Sequence, residues 1–250
     1  MTNNIWKGFK DFIVYDKVQE DEVVTSFYLK AADGTSLPKA IPGQFISVRI
    51  QKGDNKYSRA RQYTLSMDSK EEFYRISVKI EENGDLSKQL CRNIKLGDKI
   101  QATIPMGKFV LKDGNEPVVL IGGGIGITPM IAMAYAAKGT NRQVKLVYST
   151  ANSKYHSFKE ELNKLKNENN IELIQIYTRP LEENKINIDF DVEGRINKEW
   201  IANNLPMNGE FYFCGPIEFM RNIYKSLEEL GVEKSKINFE LFAAGEDITK

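Results

Sequence analysis

The feature that bears hardest on the fold is an uncharged stretch from Val118 to Ala137, broken in its middle by glycines and a proline. Length and hydropathy alone nominate it as a membrane-spanning helix. Gly122, Gly123, Gly124 and Gly126, followed by Pro129, argue against one continuous helix, because glycine is costly in a helix interior and proline removes a backbone donor there. The stretch therefore reads as a buried strand, a glycine turn and a helix. Glycines would let the backbone of Gly124-Ile125-Gly126-Ile127 approach a pyrophosphate, Thr128 is suited to capping the helix, and Pro129 to its first turn. Counted from Gly124, the third glycine of the usual dinucleotide fingerprint is replaced by Pro129. Tight strand-to-helix turns need glycine with or without a nucleotide, so the turn admits both readings.

From Pro117 onward strands and helices alternate. Strands are expected at Val118–Ile121, Val144–Ser149, Ile171–Tyr177 and Phe211–Cys214, and helices at Pro129–Lys138, Phe158–Asn169, Lys198–Asn203 and Phe219–Leu230. That alternation predicts a parallel sheet with crossover helices. Cys214-Gly215-Pro216 ends the fourth strand, where ligands of such sheets bind, although a cysteine there is equally a core residue. Asn238 to Gly245 reads as a closing apolar strand.

The chain before Pro117 reads differently. Phe12–Tyr15, Val23–Lys30, Phe45–Ile50, Tyr74–Ile80 and Lys99–Ile104 are β-branched or aromatic runs separated by turn signals, which predicts a small antiparallel barrel interrupted by one helix at Leu86–Asn93. The polar segment Lys112 to Glu116 divides the halves, giving expected domains of 1–113 and 114–250. Within the barrel, Arg61-Gln62-Tyr63-Thr64-Leu65-Ser66 combines a guanidinium, a planar ring and two hydroxyls on an extended segment. Such a set suits the pyrophosphate and flat ring of a flavin, and it is also an ordinary amphipathic strand. Gly84-Asp85-Leu86-Ser87 opens the short helix with free N–H groups and a hydroxyl, which either hold a phosphate or merely cap the helix. Lys79 would add a cation if it faced the same side.

Composition excludes other chemistries. A net charge of +1 supplies no broad field for nucleic acid or an anionic membrane surface. Two cysteines, Cys91 and Cys214, and the single His156 cannot build a four-ligand metal or iron–sulfur site, so no metal is expected. No signal peptide is apparent before Phe12, and with so few cysteines a reducing cytoplasm is expected. His156 reads as a surface residue ahead of a helix, and Cys91 as packed.

Together, the Arg-x-Tyr-Thr segment, the Gly-x-Gly-x-Thr-Pro turn, the Cys-Gly-Pro strand end and the terminal aromatic segment resemble the ferredoxin-NADP reductase superfamily, in particular the reductase portion of flavohemoproteins. Trp6-Lys7-Gly8-Phe9, Val24 to Leu29, Pro42-Gly43-Gln44, Val78-Lys79 and Phe219-Met220 extend the likeness over nearly the whole chain. The resemblance implies an antiparallel FAD-binding β-barrel followed by a parallel-sheet NAD(P)-binding α/β domain. It implies that Arg61 binds the FAD pyrophosphate, Tyr63 stacks on the isoalloxazine, and Thr64 bonds near flavin N5, with Gln62 in the same segment. Lys79 and Gly84, Leu86 and Ser87 would serve the FAD phosphates, and Gly124, Ile125, Gly126, Ile127, Thr128 and Pro129 the NAD(P)H pyrophosphate. Cys214, Gly215 and Pro216 would lie near the nicotinamide, Glu240 near the reaction site, and Phe242 would cover the other flavin face.

Phe45 stands where the family carries tyrosine, which removes one hydroxyl contact to FAD. No globin precedes residue 1, so heme chemistry is not expected of this polypeptide alone. The implied activity is hydride transfer from NAD(P)H to FAD and onward delivery of electrons to a heme, iron–sulfur or flavodoxin-like protein or a small molecule. Two alternatives stay open: a reductase using free flavin as substrate, and an electron-transfer subunit of a larger complex. After the second parallel strand, Ser149 to Lys154 carries hydroxyls and one lysine but no acidic ribose ligand, and Lys154, Arg179 and Arg195 leave NADH and NADPH both possible.

Overall fold

The first strands run where β-branched and aromatic residues alternate with polar ones: β1 (Lys10–Gln19), β2 (Val24–Ala31), β3 (Phe45–Arg49), a hairpin of β4 (Gln51–Gly53) and β5 (Lys56–Tyr57), β6 (Arg61–Thr64), β7 (Tyr74–Lys79) and β8 (Lys99–Ala102). The structure, a computed structural model, describes residues 5–54, 56–242, 245 and 247–249. It divides into two units, Met1–Leu111 and Lys112–Lys250.

In the first unit six strands pair antiparallel in the order β6-β3-β8-β1-β2-β7. The two ends of that order meet: Leu65 bridges Ile76, and the Ser66 N–H donates to Arg75 O at 3.0 Å. The sheet thereby closes on itself, which removes exposed edges. Phe12, Phe27, Leu29, Ile46, Ile76 and Leu90 fill the interior at no measurable exposure, each contributing about 1.5–3 kcal/mol by leaving water. A buried serine chain lines the closure, with Ser77 Oγ 2.8 Å from both Ser26 Oγ and Ser66 Oγ. The one helix, α1 (Asp85–Asn93), packs Leu86 and Leu90 into this core.

In the second unit β9 (Val118–Gly123), β10 (Val144–Thr150), β11 (Ile171–Tyr177), β12 (Val192–Glu193), β13 (Glu210–Cys214) and β14 (Ile237–Phe239) form a parallel sheet ordered β12-β11-β10-β9-β13-β14. The helices are α2 (Ile127–Ala137), α3 (Lys159–Lys166), α4 (Lys198–Asn204) and α5 (Ile217–Glu229). Strand order reverses at β9, which has β10 on one side and β13 on the other. The carboxyl ends of β9 and β13 therefore flank a topological switch point, where open α/β sheets bind ligands. The apolar run that resembled a membrane span resolves into β9 and α2, and no helix among the described residues is long and apolar enough to cross a membrane. Apolar on nearly all sides, α2 is buried along most of its length.

Expected and observed elements agree in type and differ at ends. The closing strand covers only Ile237–Phe239; Ala243 and Ala244 lie outside the described residues. The two-residue strand β12, held by its pairing with β11, has no period of its own to announce it.

Candidate functional site

The residues singled out in the sequence fall into two clusters, one in each unit. In the second, the glycines act through space-filling more than flexibility. A Cβ on Gly126 would lie 2.2 Å from Cys214 O and 2.6 Å from Gly215 N, one on Gly122 2.7 Å from Ile127 Cα, and one on Gly123 or Gly215 2.8 Å from the Phe219 ring. Only hydrogen fits at these four positions. The turn after β9 thus meshes with Cys214-Gly215-Pro216 after β13, joining two motifs that lie far apart in sequence. Gly124 differs: its φ is +52°, and a Cβ there would meet nothing within 4 Å. The turn is open on that side, the side from which a pyrophosphate can approach backbone N–H groups.

Local roles depart from expectation in one respect. The helix begins at Ile127 with Gly126 as cap and no side-chain cap bond, and Thr128, buried within the first turn, donates its hydroxyl to Ile125 O at 3.0 Å. Thr128 braces the glycine turn and does not cap the helix. Pro129 occupies the first turn, where its missing N–H costs nothing.

Cys214 is fully buried in register with Gly122. Burial pushes its thiol well up, and the Glu240 carboxylate adds in the same direction, so Cys214 is a neutral packing and contact group rather than a thiolate nucleophile. Glu240 follows β14, its N–H 3.4 Å from Phe213 O. Burial raises its carboxyl to about 7. Phe242 is 48% exposed.

In the first unit β6 pairs with β3, matching Thr64 to Phe45, Tyr63 to Ile46, Gln62 to Ser47 and Arg61 to Val48. Exposure falls along the segment: Arg61 and Gln62 are exposed, Tyr63 is half-buried, and Thr64, Leu65 and Ser66 are buried. Burial rises along the segment instead of alternating, and Leu65, just past β6, bridges Ile76 of β7. The Arg61 guanidinium donates to Ala60 O at 3.3 Å and has no carboxylate partner among the described residues. Tyr63 packs against the barrel core beside Cys91, and burial pushes its phenol up. The Phe45 ring rests on Gly107, whose φ is +114° and where a Cβ would come within 3.1 Å of the ring.

The α1 entry binds itself more than expected. Ser87 Oγ accepts from Glu81 N–H at 3.1 Å and donates to Gly84 O at 3.3 Å, so its hydroxyl is consumed within the turn. Leu86 points into the core. Lys79 lies 3.6 Å from Glu81, and Lys52 pairs with Asp85 at 2.6 Å. What α1 offers a phosphate is backbone N–H groups.

His156 overturns its surface reading. It is 3% exposed, with Nδ1 2.7 Å from the Tyr177 hydroxyl and its ring edge-on to Tyr148 and Tyr177. Burial depresses its pKa to about 4. No group of three or more His, Cys, Asp or Glu among the described residues could hold a metal.

Comparison with known proteins finds two domain families in the chain. An oxidoreductase FAD-binding domain family matches residues 12–111 and an oxidoreductase NAD-binding domain family residues 120–225. The chain is 41% identical over 247 residues to a flavohemoprotein of Bacillus cereus, a match covering 95% of this chain and 61% of that one. It thus spans about three-fifths of the length of the curated relatives it matches. The crystal structure of the flavohem-like FAD/NAD binding domain of nitric oxide dioxygenase from Vibrio cholerae superposes with a TM-score of 0.82 at 34% identity, covering 93% of this chain and 98% of that one. Flavohemoglobin from Malassezia yamatoensis gives the same TM-score at 26% identity, covering 96% and 61%. The chain belongs to the FAD- and NAD-binding oxidoreductases, where it matches the reductase part of the flavohemoproteins.

Proposed function

We propose that this chain is a cytoplasmic, FAD-containing NAD(P)H reductase that hands electrons to an acceptor outside residues 1–250, either a heme, iron–sulfur or flavodoxin-like protein or a small molecule. The observation that carries this reading is the interlocked pair of turns at the switch point, Gly122–Gly126 against Cys214–Pro216, with open space beside Gly124. FAD, when bound, supplies the chemistry, taking a hydride from NAD(P)H and releasing electrons onward.

The chain's own residues position and exclude. The Arg61 guanidinium is exposed and has no carboxylate partner among the described residues, which suits a pyrophosphate ligand. Tyr63 presents a flat, half-buried ring, and Thr64 a hydroxyl at the end of β6. The N–H groups opening α1 add a second phosphate contact. The Gly124–Pro129 turn would receive the dinucleotide pyrophosphate, Cys214 would support the nicotinamide without ionising, and the exposed Phe242 would be the aromatic that covers a flavin ring. Glu240, whose carboxyl burial raises to about 7, is the charge that acts on Cys214 once it ionises. Hydride transfer requires no general base. Two free thiols support the reducing compartment.

A second reading has its own support. Ser87 spends its hydroxyl locally and Phe45 has none, which weakens the hold on the phosphate half of FAD and favours a reductase that uses free flavin as substrate. Turnover of ferricyanide by NAD(P)H without added flavin separates the two. Steady reduction that disappears in Arg61→Ala and returns with excess FAD supports the bound cofactor; dependence of the unaltered protein on added flavin supports the alternative.

A further inference from the structure

We propose that the buried pair His156 and Tyr177 is a positioning device for the adenosine half of the dinucleotide. It acts through the strap of residues 151–157 that succeeds β10. This rests on the reading of the second unit as the NAD(P)H-binding half. In a doubly wound sheet the pyrophosphate lies at the first strand-to-helix turn, and the adenosine ribose beyond the end of the neighbouring strand. Here the first turn comes after β9, the neighbouring strand is β10, and the strap extends from the carboxyl end of β10.

The strap has little regular structure, only a single 3₁₀ turn at Ser153–Tyr155, yet it is tied from every side. Thr150 Oγ1 and the Tyr148 hydroxyl both donate to Tyr155 O, at 2.8 and 3.4 Å. Asn152 accepts from Lys154 N–H and donates to Arg179 O, both at 3.2 Å. Asn184 accepts from Ser153 N–H at 3.4 Å and donates to Ser153 Oγ at 2.8 Å. With these side chains engaged, the strap offers a ligand its shape, and its shape depends on the residues that support it.

The support is His156. Tyr148 of β10 and Tyr177 of β11 enclose the ring, and Lys159 of α3 and Asp189 of the loop after β11 are the charges that act on it. Tyr177 fixes Nδ1, whereas Nε2 is buried with no partner among the described residues. A phenylalanine would fill the same space without leaving a ring nitrogen unsatisfied, so the Nδ1 bond is what the histidine adds. Two residues on, Phe158 is buried with φ of 60°, a left-handed conformation that a bulky residue holds only when anchored on both sides. The strap thus enters α3 through a strained residue whose upstream anchor is His156.

The test uses the full chain and three variants outside the proposed contact residues, Tyr177→Phe, Thr150→Val and His156→Phe. Binding of 5′-AMP and of nicotinamide mononucleotide is measured by calorimetry, alongside KM and kcat for NAD(P)H. The proposal predicts about three- to tenfold weaker AMP binding, a KM raised by the same factor, and unchanged kcat and mononucleotide binding. Thr150→Val, which loosens the same strap, gives the smaller effect, and His156→Phe, which keeps a buried ring and removes the Nδ1 bond, decides if Tyr177→Phe fails to fold. Unchanged AMP affinity overturns the proposal, as does an equal loss of both half-ligands with a fall in kcat, which marks a general structural role. An unaltered protein that binds neither AMP nor NAD(P)H overturns the dinucleotide reading itself, and this proposal with it.

Discussion

Glu240 and His156 are both buried titratable groups, and burial acts on them with opposite sign. Glu240 ionises near 7 in the folded chain and near its ordinary 4.5 in the unfolded one. Its contribution is intact below pH 4.5 and is lost as pH rises to 7 and beyond, because ionising a buried carboxylate costs free energy. Glu240→Gln should therefore gain up to about 3 kcal/mol on the unaltered protein between pH 5 and pH 8, read as a widening gap in urea midpoints; parallel pH profiles would refute the assignment. His156, pushed down to about 4, is stabilised as the neutral ring above its ordinary 6.5, and that stability drains as pH falls from 6.5 toward 4. His156→Phe should flatten the acid limb of a thermal melting profile, and an unchanged limb would count against burial of the neutral ring. Neither residue's setting was legible locally. A histidine among serines, lysines and a tyrosine reads as solvated, and its partner Tyr177 arrives on another strand, 21 positions away. Thr128 misled for a similar reason: the helix starts at Ile127, two residues earlier than proline placement suggests, which turns a capping hydroxyl into a brace.

Elements were more legible than residues because periodicity is a property of segments. The uncharged run with its glycines foretold β9, a turn and α2, since no continuous helix tolerates that punctuation. What stayed hidden was the meshing of the turns, which depends on β13 lying beside β9. Gly126→Ala tests the mesh: its Cβ would fall 2.2 Å from a backbone carbonyl, so the turn must move. Flavin retention should stay intact while reduction by NAD(P)H slows at least tenfold in stopped-flow traces; an unimpaired rate would show that the turn does not seat the dinucleotide. In the barrel, Arg61→Ala should weaken FAD binding by roughly ten- to a hundredfold, the usual loss for a charge-assisted hydrogen bond, measured by fluorescence on flavin release. The sequence also located α1 but not the local use of the Ser87 hydroxyl, because the acceptor and donor it meets, Gly84 and Glu81, become neighbours only once the turn forms.

For the whole molecule, a change of pattern near Pro117 marked the passage from an antiparallel barrel to a parallel sheet, and both architectures are present in the structure. Composition contributed by exclusion: with two cysteines and one histidine, a redox centre is expected to be an organic cofactor or to lie on another protein. The partner that takes the electrons left no local signal, because acceptor surfaces depend on shape and charge rather than motif. The central claim, that one chain holds FAD and passes reducing equivalents from NAD(P)H into it, is tested most directly by an anaerobic absorbance titration of the purified chain with NADH and with NADPH. The account predicts a yellow protein near one FAD per chain whose flavin band bleaches on adding one or both nucleotides. A colourless protein that consumes NAD(P)H only after free flavin is supplied would contradict it.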